Sequence, residues 1–450
     1  MGALTALVRR LVDVRDDETP AMLWATLYGF FILFSYYILR AVRDEISSAD
    51  RGNLQLLWTA VFLVMLVAVP LYSWVASRHQ RGVFIPLVNR FFIACLIGFW
   101  GALHLLPMGA RPWIDRAFYV WTSVFALFVV TVFWGFMADC FTNEQARRVF
   151  GFIAVGSSLG GIAGSALTAG LAEILPRFTL LLLACIPLEA ASWCALVIHR
   201  RFAGEAGEEE APAEGETASK GEEPAPAGAR PLGGTALSGI GVIFRSRYLL
   251  GIAGFIVLMS FASTILYFLQ ANLVGRAIAD RGARTAFFAR IDLAVNVLTI
   301  LFQVYLTARI IRMVGIGVSL ALVPLAVILG FVSLGVYPLL AVLVALQVAY
   351  RSGRYGITKP AREVLFTVVP REEKYKSKAF LDAAVYRGAD LANGWAFAGL
   401  QALGLSLGAI ALVAAPLAAV WAFLGLRLGS EQEERAGPGL EAAAARIAST

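Results

Sequence analysis

Between Tyr350 and Asn393 the chain reads YRSGRYGITKPAREVLFTVVPREEKYKSKAFLDAAVYRGADLAN. Arg351, Arg354, Lys359, Arg362 and Glu363 precede a short basic turn; Lys378, Asp382, Arg387 and Asp390 follow it. Guanidinium forks suit carboxylate or phosphate, which they grip with paired N–H groups. A second group, Arg40, Arg43, Asp44 and Glu45, lies in SYYILRAVRDEI, and Arg90 stands apart in IPLVNR. Arg40 lies three residues from Arg43 and four from Asp44, so these share one side of a helix. The bases Arg40, Arg43, Arg351, Arg354, Lys359, Arg362 and Arg387 outnumber the acids near them. That excess points to an anion as the visiting ligand. Plainer readings stand beside it. Arg40, Glu45 and Arg90 could anchor helix ends at headgroups. Lys378 and Asp382, spaced i,i+4, could neutralise each other, as could Arg290 and Asp292. Glu189, alone in CIPLEAAS, is a candidate proton site.

The setting gives these charges their meaning. Of 450 residues, 59% are hydrophobic and 15% charged, against about 25% charged in a soluble domain. Mean hydropathy is +0.73. This composition describes an all-α membrane protein. A charge at the centre of a spanning helix costs roughly 2.5–3.5 kcal/mol on insertion scales, so the clusters need partners, water or a ligand. The net charge of +7 lacks the basic and aromatic interleaving of a nucleic-acid surface. The four cysteines lie in or beside apolar segments, and the three histidines are scattered. No metal or cofactor is expected. No nucleophile–base set suggests an enzyme.

Apolar segments of about 20 residues, enough to cross the hydrocarbon core, cover roughly 20–39, 54–76, 84–106, 113–138, 149–172 and 178–198. Six more cover roughly 247–272, 285–308, 313–334, 338–364, 377–402 and 405–427. Residues 1–19 read as an amphipathic surface helix. Residues 199–235, rich in Glu, Ala, Gly and Pro, read as a disordered linker. Residues 429–450 form a polar tail. The expected plan is twelve transmembrane helices in two six-helix halves, 20–198 and 236–428, with major-facilitator-like architecture. Arg78, Arg81, Arg147, Arg148, Arg200, Arg201, Arg309, Arg312, Arg371, Lys374 and Lys376 fall in alternate turns. That places both termini in the cytoplasm. The glycines of GSSLGGIAGSALTAG (156–170) suit close helix contact rather than a phosphate loop, which would end in Lys-Ser/Thr after a strand. Lys359-Pro360 is expected to break the ladder of its helix.

The stretch TKPAREVLFTVVPREEKYKSKAFLDAAVYRGADLANGWA resembles the late signature of the ATP:ADP antiporter family of plastids and intracellular bacteria. Pro360, Arg362, Glu363, Lys376, Lys378, Ala379 and Asp382 carry that likeness. SYYILRAVRDEI is similar to the family's end of helix one, and VFWGFMADCFTNEQARRVFGFIAVGSSLGGI to its helix four–five region. The resemblance implies a nucleotide carrier in a bacterial inner membrane. It also departs from the family. A transport-critical lysine falls at Arg43, and critical acids fall near Tyr119 and Ile265. Only Lys378 keeps the late critical base.

The residues together suggest an alternating-access carrier of a nucleotide-like or phosphorylated anion, working by exchange. Arg40, Arg43, Asp44, Arg90, Arg351, Arg354, Lys359, Arg362, Glu363, Lys378, Asp382 and Arg387 are its candidate substrate-binding residues. The expected partners are a small anion and membrane lipid, with no nucleic acid and a monomeric chain. Two alternatives are a proton-coupled organic-anion carrier using Glu189 or Glu363, and a non-transporting assembly or sensor subunit whose charges close on each other.

Overall fold

A computed structural model describes residues 18–76, 81–202 and 238–448. The amphipathic segment at 4–15, most of the expected linker and Arg78 lie outside the described residues. So do some side chains within helices, Asp382 and Lys376 among them. Before residue 203 come α1 (Glu18–Ala49), α2 (Leu54–Ala76), α3 (Arg81–Leu105), α4 (Arg111–Cys140), α5 (Asn143–Leu171) and α6 (Arg177–Phe202). After residue 237 come α7 (Ser238–Arg245), α8 (Arg247–Ala277), α9 (Arg281–Leu301), α10 (Thr307–Val336), α11 (Leu340–Gly353) and α12 (Lys359–Leu365). The last three are α13 (Arg371–Phe380), α14 (Tyr386–Ala402) and α15 (Leu407–Ala448). No strand occurs among the described residues.

Nine helical stretches among the described residues are long and apolar enough to cross a membrane, by length and composition. One of them, Arg281–Val336, is 56 residues long, about twice what a crossing needs. It turns at Gly315, whose φ of 75° only glycine adopts freely. The charged stretches Leu340–Leu365 and Arg371–Ala402 fall outside the nine. Two boundaries differ from the sequence reading. The helix α6 runs to Phe202, past the expected linker start, and α15 carries the polar tail onward instead of releasing it at Gly429. The last helix runs on through Pro416 and Pro438 to Ala448.

The first-half helices pack α5 and α6 against α1, and α3 against α6. In the second half α15 packs on α10 and α8. The halves meet where α9 lies against α1 and α5, and α14 against α2. The small-residue run on α5 makes the first of these packings possible. A Cβ at Gly160 would stand 2.1 Å from the Phe30 carbonyl oxygen, and one at Gly164 2.4 Å from that of Phe34. Both obstacles are backbone, so α1 would have to move. Next to Gly160, Gly161 lies between the Tyr37 ring of α1, 2.9 Å from where its Cβ would stand, and the Asn296 amide of α9 at 3.2 Å. One helix thus packs against both α1 and the other half.

Gly160→Ala is expected to cost about 1–3 kcal/mol by forcing α1 off α5, seen as a lower melting temperature in detergent. Gly170→Ala, whose Cβ would meet nothing within 4 Å, is the matched control and should melt like the parent.

Candidate functional site

The long α1 ends in four consecutive turns of polar side chains. Arg43 binds Asp44 through two nitrogens, at 2.9 and 3.2 Å. Arg40 approaches the same carboxylate at 3.7 Å. The Nε of Arg40 also lies 3.3 Å from Oδ2 of Asp292 on α9, and Arg351 on α11 lies 2.6 Å from Oδ1. Asp292 is 1% exposed. A single buried carboxylate therefore sits between a guanidinium of the first half and one of the second. The expected Arg290–Asp292 pair does not form, because residues two apart on a helix point in nearly opposite directions. Arg290 reaches Glu173 instead, at 2.7 Å.

A chain of aromatic hydroxyls closes on Asp44. Trp58 Nε1 donates to the Tyr119 hydroxyl at 2.9 Å, and the Tyr119 and Tyr267 hydroxyls lie 3.2 Å apart. The Tyr267 hydroxyl donates to Asp44 Oδ1 at 3.1 Å. Arg43 lies over the Tyr119 ring, 5.7 Å from its centroid. Tyr119 thus contributes a hydroxyl here, while Ile265 is fully buried core. The chain spans α2, α4, α8 and α1, so it too crosses between halves.

Arg354 is held differently. It donates to the Tyr386 hydroxyl at 2.8 Å and to Ser263 at 3.3 Å, and lies 5.3 Å from the Tyr386 ring and 5.7 Å from the Tyr355 ring. No carboxylate lies within 4 Å of it among the described residues. Tyr355 follows Arg354 in the same π turn, between the Arg351 and Lys359 positions. Arg387 is half-buried a turn before Asp390, whose carboxylate accepts from Ser260 at 2.6 Å. Lys359 is exposed.

Glu363 accepts from Lys378 and from Arg362, the latter at 3.3 Å. Lys378 thus has a longer-range partner in Glu363; its expected i,i+4 neighbour, the Asp382 side chain, lies outside the described residues. Arg90 and Glu189 pair at 2.8 Å with both side chains about half exposed. They meet each other rather than the Arg40–Arg351 group.

The break expected at Lys359-Pro360 takes a milder form. A π turn over Arg354–Thr358 links α11 to α12, and the helix continues through the proline. Proline donates no N–H. The carbonyls of Tyr355 and Gly356, one turn earlier, accept instead from Gln303 Nε2 at 3.4 Å and Thr307 Oγ1 at 2.5 Å. Gly356 allows this approach, since a Cβ there would stand 2.6 Å from Phe302 Cβ. Gln303 belongs to another π turn, Phe302–Leu306, and a third covers Leu381–Val385 beside Lys378. Such turns rotate the side chains that follow them and recur at functional sites.

The halves are also tied at the end of the bundle where α1 finishes. Glu45, fully buried, accepts from Arg281 at 2.7 and 2.9 Å and from Arg284 at 2.9 Å. Arg281 also donates to Asp115 at 2.9 Å, and Arg116 binds Asp50 at 2.6 Å. A cavity of about 430 Å³ beside this cluster is lined by Arg111, Glu173, Arg281 and Thr285. At the opposite end Arg148 pairs with Glu18 and Glu144.

Sequence reasoning missed Asp292 as a bridge, and the hydroxyls of Tyr119, Tyr267 and Tyr386. Their signals were faint. Asp292 does begin a polar stripe with Asn296 on one side of α9; the tyrosines look like packing residues until their partners are known.

Thr307→Val should cost about 1 kcal/mol by stranding a carbonyl. The cost should shrink in a Pro360→Ala background, where a backbone N–H is restored. A thermal double-mutant cycle with no coupling would disprove the link.

No family model matches the chain. It is 23% identical over 471 residues to ADP,ATP carrier protein 2 of Chlamydia trachomatis, covering 90% of this chain and 86% of that one. The nucleoside transporter NupG superposes with a TM-score of 0.65 at 12% identity, over 91% of this chain and 98% of that one. The xylose transporter XylE from E. coli, in an inward open conformation, gives 0.56 at 14% identity over 89% and 95%. The chain is thus a sequence relative of an ADP,ATP carrier, and its fold is that of the major-facilitator-like transporters.

Proposed function

We propose that the chain is a secondary transporter of a nucleotide-like or phosphorylated anion, working by alternating access and exchange. The observation that carries this is the grouping of Arg40, Arg43, Arg351 and Arg354 where the halves meet. Asp44 and Asp292 answer three of these guanidiniums. Among the described residues Arg354 meets hydroxyls and ring faces and no carboxylate within 4 Å. An arriving phosphate would complete its coordination with two or more charge-assisted hydrogen bonds. The resemblance of the sequence to an ADP,ATP carrier supports the same ligand class.

The proposed topology has twelve spans, with the stretches Leu340–Leu365 and Arg371–Ala402 crossing despite their charges, because the charges face the pathway. Both termini are cytoplasmic in a bacterial inner membrane, and the unit is a monomer. The Glu45–Arg281–Asp115 cluster then closes the outer end, and the pathway opens inward past Glu363 and Lys378. Arg362, Glu363, Lys378 and Arg387 line that approach. Arg90, paired with Glu189 away from the group, has the weakest part in it. Exchange requires the two inter-half links through Asp292 and Glu45 to part in turn, so that one end is closed while the other opens.

Labelled ADP, ATP and phosphate should enter proteoliposomes loaded with the same compounds and not enter empty ones. Arg354→Ala should lower exchange about tenfold or more, and Arg354→Lys should restore little, since a point charge does not replace a fork. Absence of counterflow for every phosphate-bearing compound would disprove the reading.

A further inference from the structure

The contacts of Asp292 differ in kind from those of the other buried acids. Glu45 accepts three hydrogen bonds with good directions, and Asp44 accepts from both Arg43 and Tyr267. Asp292 lies 3.3 Å from Arg40 and 2.6 Å from Arg351, yet neither oxygen has a hydrogen bond among the described residues. The facing atoms, Arg40 Nε and Arg351 Nη2, are likewise without one. The carboxylate is held by charge at close range rather than by aligned donors. It is 1% exposed, so water does not supply the missing alignment in quantity. Its two guanidiniums belong to opposite halves, and each keeps unused N–H groups of its fork.

A carboxylate placed this way resembles a stand-in for the ligand. An anion with directed lone pairs would satisfy Arg40 and Arg351 better than Asp292 does. Bound there, it would leave Asp292 with less to hold and would loosen an acid that spans the two halves. Resting on the transport reading above, we infer that Asp292 is an internal competitor of the substrate. It neutralises Arg40 and Arg351 in the empty carrier and is displaced from at least one of them by the phosphate of the incoming anion. Asp292 is therefore a specificity-determining residue. It sets how much negative charge a ligand must bring, and it keeps monoanions such as chloride from holding the site.

The inference has a sign that a structural role does not share. If Asp292 only braced the fold, its neutral analogue would bind anions no better. If it competes, removing its charge frees the competent form of the site, and apparent affinity rises by the fraction thereby released. Titrations of ADP, pyrophosphate and phosphate against the detergent-solubilised full chain test this. Asp292→Asn should bind each probe about tenfold or more tightly than the parent, and Asp292→Glu should remain weaker than Asp292→Asn. Chloride should inhibit ADP binding more strongly in Asp292→Asn than in the parent. Unchanged or weaker binding by Asp292→Asn, with the parent binding normally, overturns this proposal alone. Failure of the parent to bind any of the probes overturns the transport reading and this proposal with it.

A second measurement uses no neutral variant, in case Asp292→Asn does not survive purification. With isotope-labelled aspartate, saturating ADP should shift a carboxylate stretching band in the infrared difference spectrum of the parent, and that band should be missing from Asp292→Glu. A saturated parent whose aspartate bands do not move overturns the inference.

Discussion

A guanidinium at membrane depth must be answered by negative charge, and this requirement governs the centre of the molecule. In a low-dielectric interior an unanswered ion costs several kcal/mol even after relaxation. Asp44 and Asp292 supply the answer for Arg40, Arg43 and Arg351. Two acids against four arginines leave a surplus, and Arg354 carries the visible part of it. Its tyrosine hydroxyls and ring faces lower the cost without removing it. The protein thus keeps a positive site tolerable when empty and still attractive to an anion.

The same constraint explains why the end of α1 is so dense in charge. Asp44 and Glu45 are neighbours in sequence, but successive helix positions point about a third of a turn apart. Asp44 faces the arginines and the Tyr267 hydroxyl; Glu45 faces Arg281 and Arg284 at the end of the bundle. One short piece of helix therefore holds both the ligand-side charges and the inter-half closure. Its position is fixed from behind by α5, whose glycines let the α1 backbone come within contact. A shift of α1 at one of these acids would be felt at the other, since the helix between them is rigid and the packing behind it has no slack.

The helical membrane class, most of the apolar segments and the arginine groups were legible in composition and hydropathy, because apolar length that faces lipid leaves long runs of hydrophobic residues. The likeness to nucleotide carriers rested on the few residues around Pro360 and Lys378. What sequence could not give was partner choice. Lys378 bonds Glu363, fifteen residues back on another helix. Arg290 has an acid two residues away and takes Glu173 in the turn after α5. Local spacing says which side chains share a face, but only the packing of α9 against α1 and α5 says which faces meet. The proline break was anticipated as an opening in the backbone. It became a closed π turn because Gln303 and Thr307 supplied the donors that proline lacks, a compensation from a different part of the chain.

The departures from the antiporter pattern bear on charge more than on shape. Where the family's critical acids fall, this chain has Tyr119, hydrogen-bonded to Trp58 and Tyr267, and Ile265, sealed in the core. Neither can hold negative charge there. The balance of the site must then rest on the acids that remain, Asp44 and Asp292 among them. On the transport reading proposed above, a carrier with Tyr119 and Ile265 at these places, rather than acids, has a more positive centre. A ligand with a doubly charged phosphate would neutralise such a centre more fully than a single carboxylate could. Substrate charge, rather than the outline of the pathway, is then the property that these substitutions change.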